Sequence, residues 1–182
     1  MSAPSLDAVI ANLVERALAR IGERAPHALD DPARRDALAR LALCSDFAID
    51  TLCRQPALLG SIADDDRTPP ELAADAEADW PARLRRWRAA GSTRLVWRDL
   101  QGLDDVDATL AGASRIADQA LQAGVAALSA SLASRHGVVR DAGRAAQSLV
   151  VFGLGKLGGG ELNFSSDVDP VSYTHLTLPT KA

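Results

Sequence analysis

The chain has 182 residues, 47% of them hydrophobic but only 4% aromatic, room for one domain and scarcely two. Its formal net charge of −4 excludes a nucleic-acid groove spread over the whole surface, and no apolar run nears the roughly 18 residues of a membrane span. Alanine accounts for 35 residues, which favours helix over sheet for most of the length. The N-terminus lacks the basic start and continuous apolar stretch of a signal peptide, so the expected compartment is the cytoplasm. Cys44 and Cys53 form neither a CxxC clip nor a disulfide framework and read as reduced, partly buried thiols. His27, His136 and His175 are scattered, without zinc-ligand spacing.

Leu6, Val9, Ile10, Leu13, Val14, Ala17, Leu18 and Ile21 fall at helical spacing, which predicts a helix over 5–22 with Gly22 near its stop. Pro32 opens a second helix running to about Cys44. Ser45 is a natural N-cap for a third, Asp46 to Arg54, ended by Pro56. Residues 61–70 read as a solvated turn, since the aspartate triplet lacks the alternating ligands of a calcium loop. Helix is expected again over 71–79 and from Pro81. The run Arg83-Leu84-Arg85-Arg86-Trp87-Arg88 reads as a solvated helix face with Leu84 and Trp87 turned inward, ahead of phosphate binding. Residues 94–100 suit helix or strand. A long helix follows from about Asp105 to Arg135, striped by Val106, Leu110, Ala113, Ala117, Leu121, Gly124, Leu128 and Leu132. It would span about 45 Å and end at His136-Gly137.

The character then changes. Ser148-Leu149-Val150-Val151-Phe152 is a short β-branched run of the kind that forms a buried strand. It feeds into Gly153-Leu-Gly-Lys-Leu-Gly-Gly-Gly160 and, after Glu161-Leu-Asn-Phe164, into Ser165-Ser-Asp-Val-Asp169. Gly153, Gly155 and Gly158 match the dinucleotide pattern GxGxxG, yet the glycine triplet interrupts the helix that pattern needs. Only residues 160–166 separate Gly159 from Asp167, too few for a parallel crossover of about a dozen. A phosphate-binding P-loop also fails, because Leu157 follows Lys156 where Ser or Thr is required. The better fit is a nucleotidyltransferase site, in which a glycine turn and short helix lead to a strand bearing Asp-x-Asp. On a strand Asp167 and Asp169 project to one face. Their repulsion is relieved by a hard cation such as Mg²⁺, while glycine N–H groups and the Ser166 hydroxyl meet phosphate oxygens. A plain glycine-rich turn capped by a Ser-Asp pair stays open on spacing alone.

The segment from Gly153 to Asp169 resembles the signature of the glutamine synthetase adenylyltransferase/adenylyl-removing enzyme family, within the nucleotidyltransferase superfamily that includes DNA polymerase β. A looser similarity lies at Arg94-Leu-Val-Trp-Arg-Asp-Leu-Gln-Gly-Leu103 and the helix after it, and a fainter one at Ala39 to Ile62. The resemblance implies a mainly α N-terminal region, residues 1–147, leading into the start of an α/β, polymerase-β-like nucleotidyltransferase domain at 148–169. Members carry two sites in one long chain. The N-terminal half removes AMP from a tyrosine of glutamine synthetase by phosphorolysis, releasing ADP, and the C-terminal half adds AMP from ATP. Asn163, Ser165 and Ser166 are similar to the removing half. Asp167 and Asp169 would then be the catalytic ligands of Mg²⁺, with Gly158, Gly159 and Ser166 lining the phosphate site and Lys156 contributing a cation. Glutamine synthetase and PII-type signal proteins are the implied partners, with ATP, ADP and phosphate as ligands.

After Asp169 the pattern departs. Pro170 removes a ladder donor where the family continues as an apolar strand. The only tyrosine and three of seven threonines lie in residues 170–182, which resemble translated sequencing-adapter sequence. They are expected to be a non-native tail without a partner strand. The chain would then be an N-terminal fragment, inactive because the third carboxylate lies downstream. Another nucleotidyltransferase, acting on a small molecule or RNA, and a non-catalytic helical interaction module are the alternatives.

Overall fold

The computed structural model describes residues 5–63, 79–141, 143–164 and 166–173. The helix expected over 71–79 (Asp79 excepted), most of the 61–70 turn, Ser165 and residues 174–182 lie outside these. Five helices come first: α1 Leu6–Arg24, α2 Pro32–Cys44, α3 Asp46–Arg54, α4 Trp80–Leu100 and α5 Val106–His136, with 3₁₀ turns at Pro26–Leu29 and Pro56–Gly60. Then come β1 Val150–Gly153, the single turn α6 Gly155–Gly158, and β2 Pro170–Tyr173. Apart from one bridge, Arg140 to Ala146, every described element before residue 148 is helical. None of the described helices is long and apolar enough to cross a membrane.

Local chemistry sets the helix starts. Ser5, Asp31, Ser45 and Asp105 accept the N–H groups of Ala8, Ala33, Ala48 and Ala108 at 3.3, 3.0, 3.2 and 2.8 Å, each satisfying one otherwise orphan donor. α1 does not stop at Gly22. It runs to Arg24, and a Cβ at Gly22 would stand 3.3 Å from Leu29 of the returning 3₁₀ turn. Gly22 therefore serves packing rather than termination.

The chain forms two compact units, Met1–Arg67 with Ala89–Thr109 and Thr68–Arg88 with Leu110–Ala182. In the first, α1 packs on α2 and α3 around Ile21, Leu38, Leu41, Ile49 and Leu52, all essentially without exposure, and Trp97 joins this core. Only the C-terminal half of α1 is buried; Leu6, Val9, Ile10 and Leu13 remain exposed. Residues 94–100, ambiguous in sequence, belong to helix α4, whose buried residues are Thr93, Leu95 and Trp97. Just beyond, the Arg98 guanidinium grips the almost fully buried Asp104 carboxylate through two bonds, 2.8 and 2.7 Å, and donates a third to the Ala63 carbonyl at 3.1 Å. A fork–fork pair of this kind fixes direction as well as distance. Gly102, at φ +67, permits the reversal between α4 and α5.

Arg20 on α1 holds Asp50 on α3 at 2.5 Å. The hydrogen bond from Arg20 draws the Asp50 carboxyl below its usual range, outweighing the opposing effect of burial. A lowered folded-state value stabilises the fold above the unfolded pKa of about 4, and the benefit is lost as pH falls through the lowered value. Asp50→Asn should therefore lower the thermal midpoint modestly at pH 7, with the difference from the unaltered chain vanishing below the carboxylate range. An equal difference at both pH values would refute this role.

Cys44 is exposed, contrary to expectation, because it ends α2 on the solvent side; Cys53 is half-buried, and burial pushes its thiol up. In the second unit, Leu84 and Trp80 of α4 rest against Gly124 of α5, 3.8 and 3.9 Å from where a Cβ would stand. The basic run of α4 is thus a helix face with Leu84 and Trp87 half-buried. The stripe expected on α5 is only partly covered. Val106, Leu128 and Leu132 are more than half exposed, whereas Thr109 and Ser114 are buried.

Candidate active site

Strand β1 begins at Val150 rather than Ser148 and pairs antiparallel with β2, Val150 opposite Tyr173 and Gly153 opposite Pro170. Phe152 is half exposed, so the strand is less buried than its composition predicts. The antiparallel pairing also removes the dinucleotide reading, which needs a parallel crossover. Residues 154–169 thus form one connection at the end of a two-stranded ladder, bringing the glycine-rich turn and the Asp-x-Asp pair to the same end of the sheet.

The turn itself is tightly closed. N–H groups of Gly158, Gly159, Gly160 and Glu161 donate to the carbonyls of Leu154, Gly155, Leu157 and Lys156 at 3.4, 3.1, 3.1 and 2.8 Å. The expected donation of glycine N–H groups to phosphate is therefore not available at Gly158 and Gly159; α6 uses those donors itself. Gly158 is needed for another reason. A Cβ there would lie 2.5 Å from the Gly153 carbonyl oxygen, whereas at Gly159 the nearest atoms are 3.7 Å away. Gly155 and Gly160 take positive φ, +58 and +72, the left-handed region that glycine enters freely. Leu157 is buried beneath the turn, and Lys156 stands exposed on it. An open cleft of about 200 Å³ lies between α5 and β1, lined by Asp118, Leu121, Val125, Val151, Gly153 and Leu157 among others.

Beyond the glycines, Leu162 is buried and its N–H donates to the Ser114 hydroxyl of α5 at 3.0 Å. Sequence reasoning missed Ser114; the one available signal is a serine between alanines on a helix face taken as apolar. Ser166 closes a local turn with Asn163. Its hydroxyl donates to Asn163 Oδ1 at 2.5 Å and accepts the Asn163 N–H at 3.4 Å. The hydroxyl expected to face phosphate is thus engaged within its own loop.

Asp167 and Asp169 do not lie on a strand. Residues 166–169 have no regular structure, and β2 starts at Pro170. The reason is the ladder's end: β1 turns into α6 after Gly153, leaving nothing opposite residues 166–169 to pair with. Pro170 is tolerated as the first residue of the strand, and residues 170–173 are paired rather than loose. Both carboxylates are exposed. Among the described residues no group of three His, Cys, Asp or Glu side chains could hold a metal. Two hard carboxylates fit the requirement of Mg²⁺, which keeps several waters and takes one or two protein carboxylates.

The glutamate-ammonia ligase adenylyltransferase family model matches residues 35–177, most of the chain and all of this site. The chain belongs to this adenylyltransferase family. It is 55% identical over 170 residues to a bifunctional glutamine synthetase adenylyltransferase/adenylyl-removing enzyme of Stenotrophomonas maltophilia (strain K279a), covering 90% of this chain and 18% of that protein. The enzyme of the same name from Xanthomonas campestris pv. campestris (strain B100) is 54% identical over 92% of this chain and 18% of its own length. That of Thioalkalivibrio sulfidiphilus (strain HL-EbGR7) is 38% identical over 74% of this chain and 15% of its own. The chain thus spans about a fifth of the length of the curated relatives it matches.

Proposed function

We propose that this chain is the N-terminal part of an enzyme that controls glutamine synthetase by removing AMP from, and adding it to, one tyrosine, and that the site here belongs to the removing half. The observation that carries the reading is the meeting of the glycine turn and two exposed carboxylates at one end of an antiparallel ladder, in a chain of this family. Asp167 and Asp169 are the ligands for Mg²⁺, which when bound supplies charge neutralisation at the phosphates. Gly159 presents backbone without a side chain, so a phosphate can come close to the turn there, while Gly158 seats the turn against the Gly153 carbonyl. Lys156 adds a compact cation beside it. Ser166 and Asn163 hold the loop that delivers the carboxylates. In the reaction an oxygen of inorganic phosphate bonds to the adenylyl phosphorus, the bond to the tyrosine oxygen breaks, and the phenolate takes a proton; ADP leaves.

PII-type signal proteins are proposed as partners of the complete enzyme, and the cytoplasm as its compartment. The start of a polymerase-β-like nucleotidyltransferase domain at 148–169 is the fold this reading requires. A third carboxylate and an ordered nucleotide pocket are needed for turnover, so the 182 residues alone should release no ADP from adenylylated glutamine synthetase and phosphate. A chimera placing residues 1–169 into the corresponding part of the Stenotrophomonas relative should release it. Phosphate-dependent ADP release by the chain alone would overturn the inactivity. A folded chimera that removes AMP but cannot add it would overturn the assignment to the removing half.

A further inference from the structure

We propose that Ser114 of α5 is a positioning residue for the carboxylate loop, its hydroxyl setting where Asp167 and Asp169 stand; the role rests on the nucleotide-transfer reading above. Ser114 is only 4% exposed and Leu162 5%. The hydroxyl donates to the Leu110 carbonyl one turn back at 3.0 Å and accepts the Leu162 N–H, also at 3.0 Å. The first bond fixes the rotamer and the hydroxyl hydrogen, so the directions of the two lone pairs are set, and one of them meets a backbone donor 48 positions along the chain. Leu162 lies in a stretch without regular structure. No ladder accepts its N–H, and a buried donor left without an acceptor is costly.

The tether reaches the carboxylates through a short closed path. Ser166 N–H donates to the Asn163 carbonyl at 3.2 Å, and the Ser166 hydroxyl bonds twice to Asn163. Asn163 and Ser166 are therefore clamped to each other. Any displacement of Leu162 carries directly to Asp167. Ala113 and Ala117 flank the serine in a helix where alanine would be the better helix former, so what Ser114 contributes is its hydroxyl.

The test is amide hydrogen exchange and Mn²⁺-induced NMR line broadening on the 182-residue chain, comparing the unaltered protein with Ser114→Ala and Ser114→Thr. In Ser114→Ala, exchange at Leu162, and at Asn163 and Ser166 whose N–H groups close the next turn, should quicken at least tenfold, with α1–α3 unchanged. The Mn²⁺ concentration that half-broadens the Asp167 and Asp169 amides should rise at least fivefold. Ser114→Thr, which keeps the hydroxyl, should restore both. Unchanged Leu162 exchange in Ser114→Ala, or a Mn²⁺ response lost equally in Ser114→Thr, overturns the proposal. If Ser114→Ala loses its helical circular dichroism, the other two proteins decide: a protected Leu162 amide in both supports the tether, and a rapidly exchanging one in the unaltered chain overturns it. An unaltered chain that shows no Mn²⁺ broadening overturns the metal reading of Asp167 and Asp169 instead, and exchange at Leu162 still decides the tether.

Discussion

Replacing Gly158 with alanine is expected to open the β1–β2 ladder while leaving the α1–α3 core intact. The new Cβ would stand 2.5 Å from the Gly153 carbonyl oxygen, a backbone atom that cannot swing aside as a side chain can. Relief requires α6 to lift from the strand end or the Gly153 peptide to rotate, and Gly153 is the residue opposite Pro170. The strand end is tight on its other side too, since a Cβ at Gly153 would meet the Leu157 side chain at 2.9 Å. Overpacking of this kind costs about 1–3 kcal/mol. A two-stranded ladder is marginal without support, so that cost should suffice to open it. Exchange of those β1 amides that donate to β2 should become fast, with the unfolding midpoint of the first unit unchanged. Gly159→Ala is the control, because its φ of −82 and nearest neighbours at 3.7 Å accommodate a methyl group. A ladder that stays protected in Gly158→Ala would show that the close approach does not govern the site.

That contrast marks a limit of the sequence. Gly158 and Gly159 are adjacent letters in one glycine run, and only the strand end lying over the first distinguishes them. Features set by chemistry within a few residues were legible: Pro32 and Ser45 mark the observed starts of α2 and α3 because a cap is a local bond. Features set by a distant partner were not. Asp167 and Asp169 fall off the strand because β1 turns away after Gly153. Gly22 carries the letter of a helix stop, yet Leu29 returning over it makes it a packing position. Ser114 was invisible for the same reason, since its acceptor role exists only once Leu162 lies against α5. The motif could be read as a site because its residue types, glycines then paired carboxylates, are set by chemistry. The position of each in the fold is set by tertiary contacts that no spacing rule contains.

In a chain that carries the rest of the enzyme, Asp167→Asn and Asp169→Asn should each abolish removal of AMP and leave its addition largely intact. The substitution is nearly isosteric, and both side chains are exposed. The fold should therefore persist, with like-charge repulsion between the two positions relieved in the metal-free state. What is lost is anionic charge toward Mg²⁺: each variant keeps one carboxylate, and a neutral amide oxygen replaces the other. Removal depends on that charge because phosphate and adenylyl group are both anionic where they meet, so the barrier rises when the cation is held weakly. A drop of at least a hundredfold in phosphate-dependent ADP release is the expected scale, about 2.7 kcal/mol of lost transition-state stabilisation. Addition, by this reading, uses separate carboxylates in the other half and has no reason to fall with it. Assaying ADP release and ATP-dependent adenylylation separately in both variants is decisive. Loss of addition with removal intact would place Asp167 and Asp169 in the wrong half, parallel loss of the two activities would make their role structural, and persistence of both would take them out of the chemistry altogether.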